Sequence, residues 1–102
     1  MDENRTMFST TRGPFSWPAR CPLTPKDWSY LHRKYHLSPR ELQSAICICS
    51  GCNNAQLAKT LGITVNTAKV YVREVYRRTG VNNKVLLLLK FLSDVSPLDK
   101  VV

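Results

Sequence analysis

Three basic side chains stand four residues apart near the middle of the chain, at Lys69, Arg73 and Arg77. Residues at this spacing share one face of an α-helix, so the three side chains would form a cationic stripe along it. Guanidinium and ammonium groups donate hydrogen bonds to phosphate oxygens and to the O6 and N7 acceptors of guanine. The stripe therefore indicates a helix that contacts nucleic acid.

The residues around this stripe predict a short helix, a tight turn and a second helix. Asn53 and Gln56 have the spacing of a capping box, and Gly62 suits the left-handed conformation that ends a helix. Thr64 is a good N-cap for a helix over Val65–Thr79, which would carry the basic stripe. Two helices joined in this way predict a helix-turn-helix motif whose second helix fills the major groove of DNA.

The charge of the whole chain agrees with a polyanionic partner. The 102 residues include 15 Lys and Arg against 7 Asp and Glu, a net charge of +8. Many small basic proteins carry such charge only as a solvated surface. The position of the basic residues along the chain therefore decides whether they indicate a binding site. The segment Val65–Thr79 has four basic residues and a single acid, Glu74. We expect its apolar face to point inward, with Ala68, Val72, Val75 and Tyr76.

Residues Leu37 to about Leu92 resemble the LuxR-type (GerE-like) DNA-binding domain of bacterial regulators. The matching segments are Leu37-Ser38-Pro39-Arg40-Glu41-Leu42, Gly51 with Asn54, Leu61-Gly62-Ile63-Thr64, Thr67-Ala68-Lys69-Val70 and Gly80-Val81. Region 4 of sigma factors shares the motif, but the Gly80-Val81 ending and the apolar helix after it fit the LuxR type better. The resemblance implies an all-α, four-helix domain over residues 37–96.

The same resemblance assigns roles to individual residues. Lys69, Val70 and Arg73 match the family positions that reach base edges, where Arg or Lys suits guanine and a Val methyl suits the thymine methyl. Phosphate contacts are expected from residues at the edges of the motif, where they position the domain without reading sequence: Asn54, Thr64, Thr67, Tyr71, Arg77 and Lys84. The implied partner is double-stranded DNA with an inverted repeat, bound by a dimer.

The chain before the matched region divides into two parts. Residues 1–23 are rich in Pro, Ser and Thr without apolar periodicity, which predicts an irregular arm on which only Phe15 and Trp17 are suited to dock. Residues 24–36 predict an extra helix, because Thr24 and Asp27 form a capping box with Pro25 between them. Its apolar face would consist of Trp28, Leu31 and Tyr35. Residues 97–102 are expected to form a C-terminal tail.

The helix predicted from Ser38 to Gly51 departs from the family pattern. Positions where the family usually has Val or Leu hold Ser44, Ala45 and Cys47. Empty core volume costs ~24 cal/mol per Å³, so we expect the apolar face of the extra helix to pack there and fill the space. The alternative is that the domain is simply less stable.

The last helix, which begins near Asn83 and ends before Pro97, contains more apolar residues than one buried face needs. We predict a core stripe of Val85, Leu88, Leu89 and Leu92. The residues left over would form a dimer interface, as the family uses this helix to dimerise: Leu86, Leu87 and Phe91. The alternative is that the N-terminal arm covers them.

No metal site, cofactor or enzyme active site is predicted. Cys47 and Cys49 fall two apart in a predicted helix and would point to nearly opposite faces, so they cannot hold one ion together with Cys52. The sequence has no nucleophile–base set and no Gly-rich phosphate loop. It also has no signal peptide, and its longest apolar run, Val85–Leu89, is too short to span a membrane. We therefore expect a soluble, cytoplasmic protein.

One alternative of another class stays open. The chain could be an interaction protein that pairs with another regulator through the last helix and inhibits it without binding DNA. The residues Lys69, Val70 and Arg73 argue against it, because such an adaptor does not need side chains that read a groove. The chain is too short for a phosphoacceptor or ligand-binding domain and resembles the stand-alone members of the family. Further partners would be another regulator protein or RNA polymerase.

Overall fold

The computed structural model describes residues 21–96, which contain five α-helices and, within that range, no strand. The helices are α1 (Pro25–Tyr35), α2 (Pro39–Cys49), α3 (Asn54–Leu61), α4 (Val65–Thr79) and α5 (Lys84–Val95). The predicted all-α class is confirmed. Residues 1–20 and 97–102, and with them most of the predicted arm, the docking of Phe15 and Trp17 and the C-terminal tail, lie outside the described residues. The division of the chain into arm, extra helix and domain stays a prediction.

Each helix begins at the cap residue that the sequence indicates. The first three helices have reciprocal capping boxes, in which the N-cap backbone N–H donates to the side chain three residues later at 2.8–3.0 Å. These pairs are Thr24 with Asp27, Ser38 with Glu41, and Asn53 with Gln56. Helices α4 and α5 have simpler caps, in which Thr64 and Asn83 accept from the backbone of Thr67 and Leu86. Such local bonds fix the starts of the helices.

Helix α2 is the centre of the domain, and its residues from Glu41 to Cys49 are all buried. Two groups of apolar side chains surround it. The larger one, here the α1–α5 cluster, joins α1, α2, α4 and α5. The smaller one, here the α3–α4 cluster, holds the two helices of the predicted motif against α2, and it consists of Cys47, Leu57, Ala58, Leu61 and Ala68.

The extra helix α1 is part of the core, as predicted, but it fills only some of the expected space. Trp28 and Leu31 are completely buried in the cluster that contains Ala45. Cys47 instead belongs to the α3–α4 cluster. Ser44 is also fully buried, and its hydroxyl donates to the carbonyl of Arg40 within the same helix at 2.8 Å. The small residues of α2 therefore pack in two different places, Ala45 in the α1–α5 cluster and Cys47 in the α3–α4 cluster.

The predicted faces of α5 are wrong. Leu87 and Phe91 are fully buried in the α1–α5 cluster, whereas Val85 and Leu89 of the predicted core stripe are 63% and 57% exposed. Leu92 is also exposed, and Leu88 is half-buried. The physical reason lies in α1, since the ring of Trp28 packs edge-on against Phe91 with 5.4 Å between centroids. Leu87 and Phe91 are thus unavailable to a second molecule, while Leu86 stays exposed.

A polar junction holds α1 to the end of α5. Asp94 accepts from Lys34 Nζ at 3.1 Å and from the phenol of Tyr35. Burial and the neighbouring Asp94 carboxylate both raise the pKa of Tyr35, so that its phenol stays protonated and donates the bond. The ring of Tyr35 also lies 5.8 Å from that of Phe91. Helices α1 and α5 are therefore joined by aromatic packing and by charge.

Candidate DNA-binding surface

Helix α4 presents a basic face to solvent and an apolar face to α2. Ala68, Val75 and Thr79 are buried, with Val72 and Tyr76 half-buried beside them. The predicted base-contacting residues Lys69, Val70 and Arg73 are all exposed, and Val70 retains 48% of its surface. The predicted orientation of this helix agrees with the structure.

The turn between α3 and α4 sets the angle between them. Gly62 has φ +70°, a left-handed conformation, and the N–H of Ile63 donates to the carbonyl of Ala58 at 2.9 Å. Ile63 packs against the α3–α4 cluster. Thr64 then caps α4, and its hydroxyl also lies 3.0 Å from that of Thr67. The helix-turn-helix is thus held by backbone bonds and a shared apolar cluster, with the basic face of α4 left open.

The charges on α4 are arranged unequally. Lys69 and Arg73 have no hydrogen bond or ion pair to any of residues 21–96. Arg77 instead pairs with Glu74, with Nη2 and Oε1 2.6 Å apart, which lowers the pKa of the Glu74 carboxyl. Arg78 turns away to the domain, where it contacts Glu41 at 3.2 Å and the His36 carbonyl at 2.9 Å. Two of the four cations on α4 are therefore free for a ligand.

The predicted phosphate contacts fall into two places. Thr64, Thr67 and Tyr71 lie along α4 and its start, where Thr64 is exposed and the other two are half-buried. Asn54 and Lys84, both exposed, are the first residues of α3 and α5, and they line one open cleft of about 400 Å³. Helix N-termini favour anions. The cleft therefore brings together two such ends that are far apart in sequence.

Sequence reasoning missed one residue on this surface. Asn66 is exposed on α4 and precedes Lys69 by three residues and Val70 by four, so the three share a face. Its amide has both a donor and an acceptor, the combination that suits the adenine edge in the major groove. The helical spacing that indicated the basic stripe was sufficient to find it.

The two cysteines within α2, Cys47 and Cys49, face different clusters. Cys47 lies in the α3–α4 cluster and Cys49 in the α1–α5 cluster. Burial raises the pKa of each of these two thiols to about 12. In the part of the chain that the structure describes, no group of three or more His, Cys, Asp or Glu side chains is placed to hold a metal ion. Over the same residues, no helix has the length and apolar character to cross a bilayer.

The fold and this surface define a helix-turn-helix domain of a DNA-binding regulator. Residues 35–91 match the family described as bacterial regulatory proteins, luxR family, and the chain belongs to that family. The match covers more than half of the 102 residues. The family consists of DNA-binding transcription regulators and not of enzymes. The resemblance seen in the sequence is therefore confirmed.

One curated protein illustrates the relationship. The two-component response regulator PprB of Pseudomonas aeruginosa is 43% identical over 53 residues, which are 52% of this chain and 19% of that protein. The chain thus spans about a fifth of the length of this relative. No solved structure matches significantly.

Proposed function

We propose that this protein binds a specific sequence in double-stranded DNA as a homodimer and regulates transcription, with α4 in the major groove. The observation that carries the proposal is the open basic face of α4. Lys69 and Arg73 project from it without a hydrogen bond or ion pair to any of residues 21–96, and the exposed Val70 lies between them. Lys and Arg suit guanine edges, and an exposed Val methyl suits thymine. We propose the exposed Asn66 as a fourth base-reading residue.

The proposed phosphate contacts surround this face. Asn54 and Lys84 border the cleft at the N-termini of α3 and α5, where helix dipoles and the ammonium group favour an anion. Thr64, Thr67 and Tyr71 supply hydroxyls beside α4. Arg77 joins them only by leaving Glu74, since the two are paired in the free protein. These contacts would position α4 without selecting a base.

The exposed apolar face of α5 supports a dimer, with a set of residues that differs from the first expectation. Val85, Leu86, Leu89 and Leu92 are at least 36% exposed and recur at helical spacing. Apolar patches of this kind mark interaction sites, and a two-fold axis through α5 would let the patch pack on its own copy. Such a dimer would present two α4 helices to an inverted repeat in the DNA of the bacterial cytoplasm.

A selection from random duplexes tests sequence-specific binding. We expect the wild-type chain to enrich one site, and the double variant Lys69→Ala, Arg73→Ala to lose the enrichment. The matched control is Lys26→Ala, Arg33→Ala, which removes the same charge from exposed residues of α1. Enrichment of the same site by the Lys69/Arg73 variant would refute the assignment of α4, and absence of DNA binding by the wild type would favour the interaction-protein alternative.

Sedimentation tests the dimer. Leu89→Glu would bury a charge between the two α5 helices, and we expect it to shift the protein toward monomer and to weaken binding to a two-half-site operator about tenfold or more. Thr60→Glu makes the same charge change at an exposed position of α3 and should leave sedimentation unchanged. A wild-type protein that stays monomeric at high concentration would contradict the proposed dimer.

A further inference from the structure

The turn that ends α2 brings two cysteines together. The N–H of Gly51 donates to the carbonyl of Ile48 at 3.1 Å, and the N–H of Cys52 donates to that of Cys47 at 3.0 Å. Gly51 has φ +92°, the left-handed conformation that this turn requires. The two bonds form a Schellman motif, which is often accompanied by a contact between the side chains at the ends of the outer bond. Here those side chains are two thiols.

The two cysteines adjoin the same apolar cluster. Cys47 belongs to the α3–α4 cluster, and Cys52 packs against that cluster from the turn. The backbone bond from Cys52 N–H to the Cys47 carbonyl places the two residues side by side at the end of the helix. Cys47 and Cys49 are separated by the helix, as the sequence indicates. Cys52 returns to the side of Cys47 because the chain reverses after the helix.

Access from solvent differs sharply between the two sulfurs. Cys47 is completely buried, whereas Cys52 is half-buried and lines the open cleft beside Asn53 and Lys84. Burial raises the pKa of Cys47 to about 12, so this sulfur stays a thiol that external reagents do not reach. A reagent in the cleft would therefore meet Cys52 first.

We propose that Cys47 and Cys52 form a redox site, which a small-molecule disulfide converts reversibly into an intramolecular disulfide that weakens DNA binding. The site itself depends only on the turn and on the packing of Cys52 against the cluster that contains Cys47. The effect on DNA rests on the proposed function.

The reaction proceeds in two exchanges. The Cys52 thiolate attacks the small disulfide, a sulfur–sulfur bond of the reagent breaks, and one small thiolate leaves. The sulfur of Cys47 then attacks Cys52 Sγ in the mixed disulfide, and the second small thiolate leaves with the proton of Cys47. Two protein thiols are oxidised by two electrons, and the small disulfide is reduced to two thiols.

Oxidation would disturb the packing of the DNA-binding motif. A disulfide requires the two sulfurs to approach to about 2 Å. Any shift of Cys47 toward the turn would loosen the cluster that it shares with Leu57 and Ala68 and that holds α3 and α4 together. Cys52 also directly precedes Asn53, the N-cap of α3. The packing of α3 against α4 would thus differ between the thiol and the disulfide forms of Cys52.

Thiol labelling of the full chain tests the site. The reduced protein is incubated with oxidised glutathione, then denatured and alkylated, and its mass is measured without reductant. The four cysteines of the reduced chain each take one label; we expect the oxidised wild type to lose the labels on Cys47 and Cys52. Cys52→Ser should take a label on every remaining cysteine. The matched control is Cys21→Ser, another half-buried position, which should still lose the pair.

Three outcomes of this labelling would overturn the proposal. One is full labelling of the wild type after oxidation. Another is a disulfide that maps to Cys21 and Cys49. The third is a stable glutathione adduct on Cys52 while Cys47 still takes its label. Each is independent of DNA binding.

Fluorescence anisotropy with the selected duplex tests whether the disulfide weakens DNA binding. We expect oxidation to weaken wild-type binding about tenfold, dithiothreitol to restore it, and Cys52→Ser to be insensitive to the oxidant. Equal affinity of the reduced and disulfide forms would overturn the regulatory effect. Absence of binding by the reduced wild type would instead refute the proposed function, and the labelling result would stand separately.

Discussion

Helices α4 and α5 are consecutive and similar in length, yet only one of them has its buried face where the sequence placed it. In α4, charged residues alternate with apolar ones at helical spacing. The buried Ala68 and Val75 lie opposite Lys69 and Arg73, which are exposed. The contrast in polarity across the helix identifies the inner face before any neighbour is known.

In α5 that contrast is missing. The run Val85–Leu89 is wholly apolar, so every possible face is equally suited to the core. The choice is made by α1, whose Trp28 and Tyr35 receive the ring of Phe91. Periodicity therefore predicts burial only where the faces of a helix differ in polarity, and a uniformly apolar helix is oriented by its partners.

The largest expected effect is on the stability of the fold, at the face of α5 whose burial was predicted wrongly. Phe91→Ala removes a fully buried ring and should destabilise the fold by about 3–5 kcal/mol, as large-to-small core changes do. Leu89→Ala, at a position 57% exposed, should change the free energy of unfolding by about 0.5 kcal/mol or less. Urea unfolding at a concentration where the protein is monomeric compares the two. Equal losses of unfolding free energy in the two variants would contradict the burial of Phe91 and favour the orientation of α5 that the sequence predicted.

A smaller effect is expected on the face of α4. Arg73→Ala should cost about 1–3 kcal/mol of binding free energy and relax discrimination at one base pair. Lys84→Ala, at the start of α5, should weaken all sequences alike and reduce the salt dependence of binding. Titrations of matched and mismatched duplexes at several salt concentrations separate these effects. If Arg73→Ala weakened binding to all sequences equally, this side chain would contact phosphates and not a base edge.

The smallest effect is expected from the single acid of α4. Glu74→Gln releases Arg77 from its ion pair and removes a negative charge beside the proposed groove-facing residues. Because exposed ion pairs contribute little, we expect DNA affinity to rise only about two- to threefold, with unchanged sequence preference. Anisotropy at low and moderate salt measures this. A fall in affinity would indicate that Glu74 itself contacts the DNA.

Local features were predictable from the sequence, and features that depend on distant neighbours were not. The caps at Thr24, Ser38 and Asn53 rest on pairs three residues apart, and the breaks at Gly62 and Gly80 rest on single residues. The orientation of α5 depends on a helix more than fifty residues earlier in the chain, which no local pattern records. For the proposed site, the exposure of Lys69, Val70 and Arg73 followed from α4 alone, while their contacts with bases stay predictions.

The junction at Asp94 has a consequence for the order in which the chain folds. Its bonds to Lys34 and Tyr35 connect residues 60 and 59 positions apart, whereas the capping boxes connect residues three apart. Closing a long loop costs more entropy than closing a short one, and contacts between distant residues slow folding. We therefore expect α2, α3 and α4 to assemble early and α1 to close onto α5 last. Amide hydrogens of α1 should accordingly exchange through partial openings that leave the helix-turn-helix intact.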